Sequence, residues 1–188
     1  MFLDNTGYGS FSTFLSTNGN NGAFLIMQPG GNAGFHLTIS GEKGPTGSMV
    51  LKFNTWYSVW GTYDGATITY YLFDLFGNLL ETATASQSGA FTGNTDMFLA
   101  YDNARGYHMK MKASSIMIAH AAFSQADIQT FIRTRTLSTV NQALTYYWKL
   151  NDGSGAVIAN TLGGVNGTTT GSPSWDSGVP IPNRMIAT

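Results

Sequence analysis

The sequence predicts an all-β domain of sandwich or barrel type that carries one short helix. Short runs in which apolar and polar residues alternate recur along the chain, and their β-branched and aromatic content suits half-buried strands. Turns rich in glycine and asparagine separate these runs. The length of 188 residues suits one domain with a sizeable core.

Ten strands follow from these runs. They are predicted at residues 11–15, 23–28, 34–40, 49–53, 56–63, 67–73, 79–85, 97–101, 107–120 and 145–150. In the sixth, Ile68, Tyr70 and Leu72 share one face. In the ninth, we expect the odd positions of 107–113 to point inward and the even ones outward, with a bend at 113–115.

One helix is predicted over residues 124–134. Ser124 suits its N-cap, and Asp127 at the third helical position suits the reciprocal bond of a capping box. Ile128, Phe131 and Ile132 then form one apolar stripe. We expect this helix to cover a sheet end, and a helix that binds a partner is the alternative.

Composition excludes several classes of protein. Charged residues make up 10% of the chain, against about 25% in typical proteins. Its nine lysines and arginines are dispersed, so no basic stripe for nucleic acid is expected. Cysteine is absent, which excludes disulfides and thiolate metal sites. No apolar run approaches the roughly 20 residues of a membrane span. The N-terminus lacks the pattern of a secretory signal, so we expect synthesis in the cytoplasm without export.

Two segments carry a more specific pattern. Residues 54–65 read NTWYSVWGTYDG, and residues 117–132 read MIAHAAFSQADIQTFI. They resemble the strand with its Asp-Gly turn, and the closing strand with its short helix, of the laminin-G-like, concanavalin-A-like jelly-roll family. The resemblance implies an antiparallel jelly-roll β-sandwich in which Trp56 points into the core.

A late segment resembles the beginning of the same family. Residues 147–155 read YWKLNDGSG, similar to the family's opening strand and first loop. Residues 145–173 therefore either supply the missing first strand of the sandwich, which we favour, or pack elsewhere. We divide the chain into one domain, residues 1–173, and an extended C-terminal arm, residues 174–188.

The resemblance also bears on cofactors. Many members of this family hold calcium through a carboxylate of the opening loop. Asn160 stands near that position here, and an amide oxygen is a weaker, uncharged ligand. This departure argues against calcium, and no cofactor is predicted.

Catalysis finds little support in the sequence. Glycoside hydrolysis needs two carboxyl groups about 5–9.5 Å apart. The two glutamates, Glu42 and Glu81, are distant in sequence, and the aspartates occur singly, mostly in turns. His36, His108 and His120 lack the spacing of metal ligands. We therefore expect no enzymatic activity.

Two sets of residues are candidate binding sites. Asp102, Asn103, Arg105 and Tyr107 combine in one loop the polar and aromatic groups that contact sugars, and a purely structural hairpin loop is the alternative. In the arm, Trp175, Val179 and Ile181 are predicted to bind a partner, although Trp175 could instead fix the tail to its own domain.

Fold and composition together predict a role. Jelly rolls of this kind usually act outside cells, yet this chain has no export signal and no disulfide. A virus released by lysis reconciles these facts. We predict a bacteriophage virion structural accessory protein, a capsid decoration, head fibre or tail component. It would bind other virion proteins, form a homo-oligomer and contact host-surface glycans. The alternative function is a free-standing, lectin-like carbohydrate-binding module.

Overall fold

The computed structural model describes residues 2–3, 11–17, 22–92, 96–102, 105–136, 144–170 and 174–175. Within these ranges the chain forms seventeen strands and one helix. They are β1 (Phe2–Leu3), β2 (Ser12–Thr17), β3 (Ala23–Met27), β4 (Asn32–Thr38), β5 (Glu42–Lys43), β6 (Thr46–Val50), β7 (Ser58–Tyr63), β8 (Thr67–Phe73), β9 (Leu79–Ser86), β10 (Met97–Leu99), β11 (Tyr101–Asp102), β12 (Tyr107–His108), β13 (Met111–Lys112), β14 (Ile116–Ala119), α1 (Gln125–Thr134), β15 (Leu144–Trp148), β16 (Val157–Ile158) and β17 (Gly167–Thr168).

Two antiparallel sheets form the body of the molecule, which confirms the all-β prediction. The first has the order β10-β2-β3-β4-β5, and β6 also pairs with β4. The second has the order β7-β8-β9. Their facing sides build one core, in which Phe14 and Met27 of the first sheet meet Tyr70 and Leu72 of the second. This is an antiparallel β-sandwich, and its jelly-roll character stays a prediction.

The predicted face of β8 is confirmed. Ile68, Tyr70 and Leu72 are each 0% exposed, because they all point from the second sheet toward the first. The turn before β8 is also as predicted, since Asp64 accepts hydrogen bonds from the backbone N–H groups of Ala66 and Thr67. These two bonds hold the pKa of Asp64 below its ordinary value. Asp64 therefore serves the turn.

A second, smaller core lies on the opposite face of β8. Phe73 packs there against the apolar stripe of α1, which consists of Ile128, Phe131 and Ile132. The helix is capped as predicted: Ser124 and Asp127 form a capping box. The helix packs on the outer face of the β7-β8-β9 sheet, against Phe73, the last residue of β8.

One detail of the predicted core was wrong. Trp56 is only half-buried, whereas its neighbour Tyr57 is 3% exposed and belongs to the main core. The phenol of Tyr57 accepts a hydrogen bond from the backbone N–H of Lys52, which satisfies its polar end. Strand residues alternate between the two faces, so only one of these adjacent aromatic residues can point inward, and the prediction placed Trp56 there instead of Tyr57.

The predicted long strand over residues 107–120 is broken into β12, β13 and β14. Up to Ala113 its odd positions are half-buried and its even positions are exposed, as expected. From Ile116 both faces are half-buried. The short strands β1, β5, β16 and β17 were not predicted, because runs of two residues carry no detectable period.

The late strand β15 lies beside β14, with Trp148 opposite Ile116 and Tyr147 opposite Met117. Tyr147 points into the second core, where its ring meets the ring of Phe131 edge to face. In the described part of the chain β15 has no other ladder partner, apart from an isolated bridge between Trp148 and Asn160.

One carboxylate joins the two sheets along the edge formed by β9. Glu81 of β9 accepts hydrogen bonds from the backbone N–H groups of Ser48 and Met49 in β6, and from the Ser48 hydroxyl. Burial, together with the nearby charge of Glu81, raises the pKa of Tyr70 well above its ordinary value, so this phenol stays neutral. We name the contact between Glu81 and residues Ser48 and Met49 of β6 the Glu81 seam.

Candidate functional site

The predicted sugar-contacting loop is organised around Arg105. The buried carboxylate of Asp102, 1% exposed, accepts a bond from the backbone N–H of Arg105 (3.0 Å) and one from its Nη1 (2.9 Å). Nη2 of the same guanidinium donates to Glu42 Oε2 at 2.5 Å. Arg105 is therefore held by Asp102, three positions away in the sequence, and by Glu42, 63 positions away.

The guanidinium also lies over an aromatic ring. Its central carbon is 4.0 Å from the centroid of Phe24, which is buried in β3 on the face opposite to the main core. Burial by itself lowers the pKa of Arg105, but the bond to Asp102 and the charge of Glu42 outweigh it, so the pKa is raised. Arg105 therefore stays charged and covers the outer face of the first sheet.

The network continues across that face. His36 Nδ1 lies 3.1 Å from Glu42 Oε1, and His36 Nε2 lies 3.2 Å from the hydroxyl of Thr46. Gln28 donates to the same hydroxyl at 2.7 Å. We name this chain of contacts, from Asp102 through Arg105, Glu42 and His36 to Thr46, the rim network.

The rim network corrects one expectation. The sequence shows no strand with a pair of carboxylates, yet the fold brings Glu42 and Asp102 to the two ends of one guanidinium. A glycosidase pair must present one protonated acid and one free carboxylate to a substrate. Here both carboxylates accept bonds from a permanently charged arginine, an arrangement that suits structural fixation.

An aromatic stack borders this network. Tyr107 and Phe11 stack with ring centroids 5.5 Å apart, and Phe11 is 38% exposed. The structure therefore brings Asp102, Arg105 and Tyr107 into one region, as predicted. Asn103, the fourth predicted residue, lies outside the described residues. The stack was missed because Phe11 comes from a distant part of the chain.

Of the predicted arm, the structure describes residues 174–175. Trp175 is half-buried, and Val179 and Ile181 lie outside the described residues. The prediction that these residues bind a partner stays a prediction.

The loop compared with a calcium site is built on an amide. Asn160 is 7% exposed, and its Oδ1 accepts from the backbone N–H groups of Tyr147 and Leu162 while Nδ2 donates to the Gly163 carbonyl. Asp152 accepts from the N–H of Ala159. The side chain of Asn160 thus fixes this loop to β15. In the described residues no three acidic or histidine side chains converge as metal ligands would.

A trench lies between β7 and β14 in the described part of the chain. It consists of a larger part of about 710 Å³ and a smaller part of about 130 Å³, which share Leu15, Leu25, Val59, Trp60 and Met117 in their linings. Residues 59–63 form one wall of the larger part and residues 117–121 the other. Side chains of the first sheet form its floor. We name it the β7–β14 trench.

Nothing in the described residues suggests membrane insertion through a helix, because α1 is neither long nor apolar enough to cross a bilayer.

Comparison with known proteins gives structural neighbours only. The fold is similar to full-length tailspike protein 2 of an Escherichia coli O157:H7 bacteriophage, with a TM-score of 0.57, 11% identity, and coverage of 79% of this chain and 22% of that one. It is equally similar to the enzymatically active domain of bacteriophage CBA120 tailspike protein 2, with a TM-score of 0.56, 12% identity, and coverage of 78% and 25%. The chain thus spans about a quarter of these proteins.

A third solved structure is more distant. It is an S-layer domain-containing protein of Clostridium thermocellum, with a TM-score of 0.35, 20% identity, and coverage of 70% of this chain and 67% of that one. No protein-family description matches the sequence, and no curated protein matches it either. The two reported neighbours with a TM-score above 0.5 are therefore phage tailspike proteins at low identity.

Proposed function

We propose that this protein is a non-catalytic structural accessory protein of a bacteriophage virion, which binds other virion proteins as a homo-oligomer. The observation that carries the proposal is the likeness to phage tailspikes over 79% of the chain. A shared fold hosts many functions, so composition has to support the role. The low charge and the absence of cysteine suit a protein that packs against others and assembles without disulfides.

The absence of catalysis is part of this proposal, although one structural neighbour is the enzymatically active domain of a tailspike protein. Among the described carboxylates, those of Glu42 and Asp102 bind Arg105, and that of Glu81 binds the backbone of β6. Groups used in this way are poor general acids and bases, because proton transfer would break the contacts that hold the fold.

A second candidate function is favoured by one observation. The exposed ring of Phe11, stacked on Tyr107, is an aromatic surface at the border of the rim network. Such a surface suits a sugar ring. Contact with host-surface glycans, either as part of the virion role or as a free-standing lectin, would use this rim.

Immunogold electron microscopy tests the main proposal. Antibodies raised against the purified protein are applied to phage particles from a lysate in which this sequence is expressed. We expect gold at one fixed position, on the head or the tail. Particles without label, together with free protein in the supernatant, would contradict the proposal.

A glycan array tests the second function. The purified protein is compared with Phe11→Ser, and binding that is lost in the variant would assign the rim to sugar. The control is Phe76→Ser, which removes another exposed phenylalanine in a turn far from the rim in sequence. If the protein binds glycans as a monomer and the virions carry no immunogold label, the lectin function is favoured.

A further inference from the structure

Two strand edges border the β7–β14 trench without a partner strand between them. In the described residues β7 pairs only with β8, and β14 only with β15. Five consecutive residues on each side, 59–63 and 117–121, line the larger part. Neighbouring residues of a strand point to opposite faces, so a cavity on one face would be lined by every second residue. A lining of consecutive residues indicates that the cavity borders the edge of the strand. Alternate residues of an edge strand direct their N–H and C=O groups outward.

The side chains of the trench say what it can hold. None of the residues that line its larger part is Asp, Glu, Lys or Arg, and Leu25, Phe35 and Leu37 contribute apolar side chains to it. Two polar groups at the wall are already used: Trp60 Nε1 donates to the Ser58 hydroxyl, and the Tyr63 phenol donates to the Gly89 carbonyl. The polar groups left for an occupant are those of the backbone edges and a few side chains, among them Thr62, Thr92 and His120.

These features discriminate between possible occupants. A sugar needs several convergent side-chain donors and acceptors, and in this lining the polar side chains, such as Thr62, Thr92 and His120, are outnumbered by apolar ones. An alkyl chain would suit the floor but would leave the backbone edges without hydrogen bonds, at a cost of about 1–3 kcal/mol per buried group. An extended peptide satisfies both, since its backbone pairs with the edges and its alternate side chains reach the apolar floor.

We propose that the β7–β14 trench binds an extended, uncharged strand of a partner protein by β-strand addition. A wall of five residues accommodates a strand about 17 Å long at about 3.3 Å per residue. The larger part of the trench has a volume of about 710 Å³. The inference rests on the proposed function in one respect: the partner is another virion protein.

A synthetic peptide tests strand addition directly. The probe has seven alternating threonine and valine residues with one lysine at each end, and its binding is followed by calorimetry. We expect one site with a Kd of about 100 µM or lower. The control peptide carries N-methyl groups on alternate residues, which removes the donors on one edge and keeps every side chain. It should bind at least about tenfold more weakly.

Variants locate the site. Ala119→Trp fills the trench from the β14 wall, and Ala23→Trp fills it from the first sheet, so one remains if the other does not fold. Each should weaken peptide binding at least about tenfold, because the strand and the indole compete for one space. The matched control is Ala126→Trp on the exposed side of α1, which should change the Kd less than about twofold.

Three results would overturn the inference. The first is that the peptide shows no saturable binding up to about 1 mM. The second is that the N-methylated peptide binds as tightly as the unmodified one. The third is that both trench variants bind the peptide as tightly as the unchanged protein. Light scattering adds a fourth: dimers that disappear in Ala119→Trp would make a second copy the occupant. Particles without immunogold label, combined with peptide binding, would contradict the virion role and leave the strand site standing.

Discussion

The two outer edges of the β7-β8-β9 sheet are completed in different ways. At the β9 edge, the Glu81 carboxylate accepts backbone N–H groups of β6 and so replaces a missing ladder. At the β7 edge, the described residues provide no such group, and the trench separates β7 from β14. The comparison teaches that one acidic side chain can close a sandwich edge, and that the edge without one is available to a partner.

The largest expected difference lies between a core residue away from the trench and a core residue that lines it. Leu72 is 0% exposed between the sheets, whereas Leu25 packs against the same core and also lines the trench. Leu72→Ala should lower the free energy of unfolding by about 2–5 kcal/mol. Leu25→Ala should cost less than half as much, because solvent already reaches its surroundings. Urea denaturation of the two matched variants measures the difference, and equal losses would mean that the trench is closed.

Removal of the Glu81 seam comes next. Glu81→Ala leaves two backbone donors and one hydroxyl without their acceptor, and hydrogen bonds to charged groups contribute about 1.5–3 kcal/mol. We expect a loss of about 2 kcal/mol in urea denaturation, given the partial exposure of Ser48. Glu81→Gln keeps one acceptor oxygen and should lose less. Loss of the same size in both variants would assign the effect to packing.

The rim network holds Arg105 by ion pairs on the outer face of the first sheet. Arg105→Ala removes the bonds to Asp102 and Glu42 and the contact with Phe24. Because the arginine side chain is 29% exposed, solvent screens part of the effect, and we expect about 1 kcal/mol. Arg105→Lys should recover little of it, since one ammonium cannot serve both carboxylates in the same fork. Full recovery in Arg105→Lys would mean that geometry is unimportant here.

A smaller effect is expected from partial filling of the trench. Ala119→Leu adds apolar surface at the β14 wall, where space is present, and should raise the free energy of unfolding by about 0.5 kcal/mol. The same change at Ala126, on the exposed side of α1, should be neutral. Destabilisation by Ala119→Leu would show that the trench is narrower than described.

The smallest expected effect concerns pH at the end of β7. The backbone donors of Ala66 and Thr67 lower the pKa of Asp64 from 3.8, so its contribution to stability is present above that value. The contribution is lost as the pH falls through the lowered pKa of the folded state. An NMR titration should place the Asp64 midpoint below 3.8. A midpoint at or above this value would contradict the turn geometry.

Local patterns allowed much of this fold to be predicted. The capping box of Ser124 and Asp127 and the alternation of Ile68, Tyr70 and Leu72 are properties of a few adjacent residues, and both predictions were confirmed. The choice between Trp56 and Tyr57 depended on register, which adjacent residues do not fix.

The sites could be predicted only in part, because they depend on distant contacts. The grouping of Asp102 with Arg105 follows from one short loop. The second carboxylate on Arg105, that of Glu42, comes from 63 residues away, and no local signal marks it. The Glu81 seam and the β7–β14 trench depend on how strands lie across the molecule, which a single sequence does not reveal. The exposed Phe11 next to Tyr107 belongs to the same class.

Amide-resolved hydrogen exchange by NMR tests the difference between the two edges most directly. The account predicts that alternate amides of β7, those directed toward β14, exchange much faster than the amides of the central strand β8. Addition of the threonine–valine peptide should slow them. Uniform protection along β7 without peptide, equal to that of β8, would show that β7 is already paired on both sides and would contradict the account.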